Sequence, residues 1–490
     1  MAEAPRSENF LDKFLVLKGA ARELWITFLV KFLGVTAYKI TTLTLVLWLA
    51  SDLGYGDQSA LGLVAAWSLS MTIVTLLVGS LTDAIGLRKT FFLGVWICIV
   101  ARAVMAFTTM KWVALACGLF PLAVGEALGT PVLIAAVRKY STTRQRSVSF
   151  SLFYTIMNLG FFVAAWLFDY LRQNLGEHGQ ITLPIVTTSL STYRILFFAA
   201  LIVEISMLPV IYFIRRGAEM TETGLKIVPE QPKYPSANLW TSFWLTGRDS
   251  VRDTARLFAG LLQQAGFYRL IAFLMFIAFL KLIFMQMDYV FPTFGIRELG
   301  AGAPVGRLSG INFILIVVFV PLIGVLTQRF SAYRMVVVGG VISAASVFIM
   351  ALPTVWFQPL ADSFFGQWIG QGYLGLTGKV HPYYVMITLF VILMSFGEAF
   401  YSPRVYEYAA AIAPKGQEAS YSALSYVPFL LAKILVGTVS GSLLAKYCPE
   451  VGERHSGTMW LVVGLIAAVS PVGLILLRKV IRVKEAGRDD

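Results

Sequence analysis

Runs of apolar residues, each long enough to cross a bilayer, recur from one end of the chain to the other. A membrane-spanning helix needs roughly 20 consecutive apolar residues. By that measure twelve spans are expected, near 24–50, 60–79, 90–109, 112–137, 149–172, 193–214, 269–294, 305–327, 333–353, 384–411, 419–446 and 458–478. A long polar stretch, 215–268, separates the sixth from the seventh. Its second half places Val251, Ala255, Phe258, Leu261 and Leu262 at helical spacing, with Arg252, Asp253 and Arg256 between them. That pattern predicts an amphipathic helix lying on the membrane surface. Residues 7–18 suggest a second one.

Composition agrees with the pattern. Of 490 residues, 57% are hydrophobic and only 14% charged, with a mean hydropathy of +0.74. Soluble domains average about 25% charged residues, so a soluble protein is excluded. The net charge of +13 reads as topology rather than nucleic-acid binding. Lys and Arg gather in alternate connections: Arg88 and Lys89, Arg138 to Arg146, Arg215 and Arg216, Arg329 and Arg334, Arg478 and Lys479. The positive-inside rule makes those loops cytoplasmic. Both termini then lie in the cytoplasm, and the chain is expected as a multi-pass protein of a cell (inner or plasma) membrane. The polar start, MAEAPRSENFLDKF, has no signal-peptide pattern.

Sequence motifs exclude some chemistry. Cys98, Cys117 and Cys448 lack metal-site spacing, and His178, His381 and His455 are far apart in expected outer loops. No phosphate-binding G-x-x-x-x-G-K-[ST] and no G-x-S-x-G elbow occurs. No cofactor, no metal and no ATP-driven pumping is expected. A membrane-embedded enzyme would explain buried acids but not the repeat described next.

GEALGTP at 125–131 recurs as GEAFYSP at 397–403, an offset of 272 from position 126 to 398. GSLTDAIGLRK at 79–89 answers to GVLTQRFSAYR at 324–334, an offset of 245 from position 79 to 324. The difference of 27 residues is expected to sit in the aromatic, Gly-rich stretch 353–383, on the outer side. The register of 272 then continues, laying QRSVSFSLFY at 145–154 under QEASYSALSY at 417–426. The expected architecture is therefore an all-α membrane protein with about 12 transmembrane helices in two pseudo-symmetric six-helix bundles. Residues 1–214 form the first bundle, 215–268 a cytoplasmic linker and 269–490 the second. Two related halves of this kind suit a rocking transporter.

Charge at mid-span is the best guide to the site, because it is expensive there. Glu126 and Glu398 are equivalent on spans 4 and 10; Lys39 and Lys281 nearly so on spans 1 and 7; Lys433 lies midway along span 11. Buried charges must pair, so Lys–Glu pairs are expected, with Glu126 or Glu398 carrying a proton. Asp288 is a reserve for proton handling, and Arg404 either reaches the cavity floor or pairs locally with Glu407. Arg102 and Glu204, on spans 3 and 6, are expected to pair structurally. Tyr38, Tyr154, Asn158, Gln286 and Tyr426 are polar groups placed to meet a substrate.

The loop GSLTDAIGLRK resembles that between spans 2 and 3 of the major facilitator superfamily, with Gly79, Asp83, Gly86, Arg88 and Lys89 matching its pattern. The resemblance implies a gating role, with Gly79 allowing close helix approach and Asp83 pairing with Arg88 or a helix N-terminus. Within that superfamily, FYTIMNLGFF at 153–162 and GEAFYSPRVYEYAAAIAPKG at 397–416 are similar to the proton-dependent oligopeptide transporters. There Glu398 matches the glutamate that meets a peptide's amino terminus. The family's acidic motif of span 1 is absent from KFLGVTAYKITTLTLVLW at 31–48, Thr130 stands where the family has lysine, and Met285 lies nearest its span-7 acid. The resemblance implies a monomeric, proton-coupled carrier of a short peptide or peptide-like zwitterion. An organic-anion carrier and a proton-antiport drug exporter remain alternatives, as does a receptor that binds without transport.

Overall fold

The structure is a computed structural model. It describes residues 17–182, 189–221, 224–227, 241, 244–245, 247–249, 251–252, 256, 259–260, 262–327, 329–411 and 427–482. Twelve helices among them are long and apolar enough to cross a membrane. In order they are Arg22–Ser51, Asp57–Thr75, Leu87–Phe107, Lys111–Lys139, Val148–Leu175, Thr192–Tyr212, Ala265–Tyr289, Val305–Gly324, Ala332–Ile349, Pro382–Val405, Leu430–Tyr447 and Ser456–Leu476, called spans 1 to 12 below. The protein is a multi-pass membrane protein. Residues Leu17 and Arg482 lie at the same end of the bundle, here the terminal face; the opposite end is the distal face.

Local chemistry sets the span ends. The helix of span 5 opens on a capping box, in which Thr142 Oγ1 accepts from the Gln145 amide and Gln145 Oε1 from the Thr142 amide, each at 3.3 Å. Ser191 and Ser331 cap spans 6 and 9 with the hydroxyl alone, accepting from the Arg194 and Arg334 amides. The seventh run was expected to continue to 294. Instead it breaks after Tyr289 and resumes as Phe291–Leu299, because Pro292 has no amide hydrogen for the ladder. Spans 4 and 11 each contain a π-helical turn, Ala114–Leu119 and Val436–Ser440.

Spans 1 to 6 pack against one another, as do spans 7 to 12. The repeat is visible in their closest crossings. Spans 3 and 4 cross at Gly94 and Gly125; spans 9 and 10 cross at Gly339 and Gly397, the equivalent positions in both registers. A Cβ on Gly125 would lie 3.0 Å from the Gly94 carbonyl oxygen, and one on Gly397 would lie 2.8 Å from that of Gly339. Small residues let helix backbones meet in membranes.

The connections also depart from expectation, and between spans 5 and 6 Gln180–Thr182 pairs antiparallel with Ser189–Ser191. The segment after span 6 starts with an antiparallel hairpin, Ala218–Thr221 with Gly224–Ile227. Stretch 353–383 is not a plain loop: it folds into short helical turns, Thr354–Phe357, Gln358–Ala361, Phe364–Gln367 and Trp368–Tyr373. Of the amphipathic segment at 250–264, Val251 and Leu262 are described and exposed, while Ala255, Phe258 and Leu261 lie outside the described residues. So does 7–16 of the other surface segment.

Candidate transport site

The two helix groups meet at three seams: span 5 on span 8, span 2 on span 11, and span 1 on span 7. Between described residues, the hydrogen bonds across these seams lie at mid-membrane or on the distal face. Asp169 of span 5 receives the Gly306 and Arg307 amides of span 8 at 2.9 and 2.6 Å, capping that helix from the other group. Arg172 pairs with Glu177, whose carboxylate also accepts from the Gly302 amide at 3.1 Å and the Tyr193 hydroxyl at 2.8 Å. Burial works against ionisation of Glu177, but Arg172 together with the Tyr193 and Gly302 hydrogen bonds outweighs it and holds the carboxyl below its ordinary range. Arg297 forks onto Asp57 with two bonds of 2.8 Å. The short turns at 353–383 join this closure. Tyr373 donates to the Arg307 carbonyl at 3.0 Å and sits edge-on to Trp166 of span 5, while Arg307 donates to the Leu374 carbonyl at 2.7 Å.

Below the closure, Lys39 of span 1 forms an ion pair with Asp288 of span 7. Its ammonium lies 4.8 Å from the Phe313 ring centroid and 5.4 Å from that of Phe161, on spans 8 and 5. Four spans from both groups thus converge on one cation. Tyr38 stacks on Trp67 at 6.3 Å and stands beside Tyr289. Lys433 of span 11 donates to Thr72 Oγ1 of span 2 at 3.1 Å and to the Ser68 carbonyl at 3.4 Å.

The expected Lys–Glu pairing is corrected here. Lys39 takes Asp288, the reserve acid, and Glu126 takes Arg102. The tight crossing at Gly94 and Gly125 puts spans 3 and 4 in contact, so Arg102 reaches Glu126 before any lysine does. Arg102 also binds Glu204 Oε2 at 2.9 Å, the pairing that was expected. Arg102 is fully buried, whereas 14% of the Glu126 side chain remains accessible. Lys31 stands within electrostatic reach of Glu126, over the Phe153 ring at 4.6 Å.

Glu398 keeps different company. Its Oε2 accepts from Asn312 Nδ2 at 3.1 Å, and the same amide donates to Ser395 Oγ at 2.9 Å. Lys281 is within electrostatic reach and donates to Ser402 Oγ at 3.2 Å, with the Phe284 and Tyr401 rings beneath it. Sequence reading missed Asn312, a single amide inside an apolar run.

The remaining residues divide. Tyr154 is partly exposed, and its carbonyl accepts from Asn158 at 2.9 Å. Gln286 is buried and donates to Ser440 within its own helix group. Arg404 takes the local option: it pairs with Glu407 and donates to Thr327 Oγ1 at 3.0 Å. Tyr426 and the environment of Gly79 and Asp83 lie outside what the structure describes. Gly86, at φ +86°, makes the turn between spans 2 and 3, a conformation only glycine adopts readily. Arg88 turns to the Tyr212 carbonyl at 2.9 Å, and Lys89 is exposed.

The sequence model of the Major Facilitator Superfamily matches residues 27–374. The chain belongs to that superfamily. Superfamily members are transporters rather than enzymes, and the twelve-span fold is theirs. No curated protein matches the chain. Among solved structures, one from work on substrate recognition in proton dependent oligopeptide transporters is 17% identical, with a TM-score of 0.66, covering 94% of this chain and 98% of its own. A POT family transporter in complex with a thioalcohol conjugated peptide is 15% identical, with a TM-score of 0.68 and coverages of 94% and 97%. Another, in complex with 5-aminolevulinic acid, is 16% identical, with a TM-score of 0.67 and coverages of 97% and 98%.

Proposed function

We propose that this superfamily member is a proton-coupled carrier of a short peptide or peptide-like zwitterion, working by alternating access. The observation that carries the reading is the Lys39–Asp288 pair, which joins the two helix groups beneath the closed distal face. Protonating Asp288 removes the counter-charge of Lys39 and loosens the seam between spans 1 and 7. Glu398, hydrogen-bonded by a neutral amide with Lys281 in electrostatic reach, is placed to receive a substrate ammonium, as its motif resemblance suggests. Lys281, in electrostatic reach of Glu398, and Lys433, at the seam of spans 2 and 11, carry charge suited to a carboxylate. Glu126 is the second proton carrier, since it and Glu204 share one guanidinium.

We take residues 1–214 and 269–490 as the two rocking bundles and 215–268 as their linker. The basic connections put the terminal face, with both termini, in the cytoplasm of a cell membrane. The described state is then closed to the outside. The protein works as a monomer, with Gly79, Asp83, Gly86, Arg88 and Lys89 as the gate of the first bundle.

The test is uptake of a labelled dipeptide into proteoliposomes under an inward proton gradient. Gradient-dependent uptake is expected, with Asp288→Asn losing the response to the gradient while retaining counterflow. Equal gradient response in Asp288→Asn removes the pair from coupling. A second reading, organic-anion transport, is favoured by Lys433, whose contacts among described residues are neutral oxygens. Thermal-shift screening separates the two: stabilisation only by anions that lack an amine overturns the peptide reading.

A further inference from the structure

The terminal-face ends of spans 9 and 12 enclose a cavity of about 480 Å³, lined by Tyr333, Arg334, Val337, Ile475, Arg478 and Arg482. Half of this lining is arginine, and no lining residue is acidic. The floor is built: Tyr333 is buried, and its hydroxyl donates to the Leu474 carbonyl at 2.6 Å. Arg334 is steadied over the Phe330 ring at 5.1 Å.

Depth and surroundings identify the ligand. Span 9 begins at Ala332 and span 12 ends at Leu476, followed by the separate turn Arg478–Ile481. The guanidinium groups therefore stand where two apolar helices leave the hydrocarbon. Beside them Leu476, Val472 and Val469 are 74%, 51% and 42% exposed, an apolar lane at helical spacing running from the cavity along span 12. Guanidinium forks match phosphate oxygens two at a time. Basic pockets at this depth suit anionic headgroups.

We propose that this cavity binds the phosphate of an anionic membrane lipid, with its acyl chains along Leu476, Val472 and Val469. A free phosphate ester offers the same headgroup chemistry without the chains, so the test carries both. Purified full-length protein in a neutral detergent is titrated with phosphatidylglycerol, phosphatidylcholine or glycerol phosphate while its melting temperature is followed. Phosphatidylglycerol is expected to raise the melting temperature, and the other two to leave it unchanged. In the variant Arg334→Gln, Arg478→Gln, Arg482→Gln the rise should fall by more than half. The exposed single change Arg478→Gln, which should not disturb folding, should show a smaller loss in the same direction. An undiminished rise in both variants overturns the site. An equal rise with glycerol phosphate overturns the lipid assignment.

Discussion

Glu126 and Glu398 stand at equivalent positions of a repeated scaffold, each one residue after a glycine that meets another helix backbone. Their surroundings diverge. Position 102 of span 3 is arginine, whereas its equivalent on span 9, position 347, is valine. Glu126 is accordingly bound by a guanidinium that also holds Glu204, and Glu398 by the neutral amide of Asn312. A carboxylate bonded to a guanidinium is committed to it; one bonded to an amide, with Lys281 only in electrostatic reach, is less so. The repeat thus supplies position, and the flanking helices decide which partners a glutamate there receives.

The largest effect that would break this comparison is in the first bundle. Arg102→Leu leaves two buried carboxylates without their cation and should cost about 3–5 kcal/mol, read as a fall in melting temperature or loss of monodisperse protein. Asn312→Leu, its opposite number, removes the two neutral-donor hydrogen bonds to Glu398 and Ser395 and should cost about 1–3 kcal/mol. Equal losses would mean that the two glutamates are held alike. Next comes transport. Glu398→Gln should weaken dipeptide binding roughly 10- to 100-fold, the worth of a charge-assisted hydrogen bond of about 1.5–3 kcal/mol, and Glu126→Gln should leave affinity within about threefold. Competition binding measures both, and the reverse order would exchange their roles.

The scaffold itself can be tested at the crossings. Gly397→Ala puts a Cβ 2.7 Å from the Ser343 amide nitrogen, against 3.0 Å from that of Cys98 for Gly125→Ala. The first should therefore be the more destabilising, by about 1–3 kcal/mol, as thermal denaturation will show. The smallest effect belongs to Glu177, which lies outside both glutamate sites. Its folded carboxyl is held below its ordinary range, so its contribution is present at neutral pH and lost as pH falls through that depressed value. The melting temperatures of wild type and Glu177→Gln should differ at neutral pH and converge in acid. A gap that persists in acid would show that the charge of Glu177 is not what matters.

Much of this was legible from residues alone. The twelve spans, the doubled glutamates and the 27-residue excess at 353–383 followed from hydrophobic run length and register. Even the lysines at positions 39 and 281 were marked by the cost of charge at mid-span. Their partners were not. Asp288 lies outside the repeat register of Lys39, and the pair joins helices from different halves, a relation that no periodicity encodes. Arg102 was visible as a buried cation, but its reach to Glu126 depends on the close approach at Gly94 and Gly125, which only the fold reveals. Asp169 capping span 8 was illegible for the same reason.

The turn at 368–373 gives the cycle a direction of ease. Tyr373 rests on Trp166 across the seam, and Arg307 binds chain on both sides of it, to Leu374 and to Gln173. Each opening of the distal face must unstack that ring and release that arginine. A loaded carrier can offset this with the free energy of its ligand; an empty one has none to spend. The unloaded return is then the slow half of the cycle, and exchange of solute for solute should run faster than net accumulation.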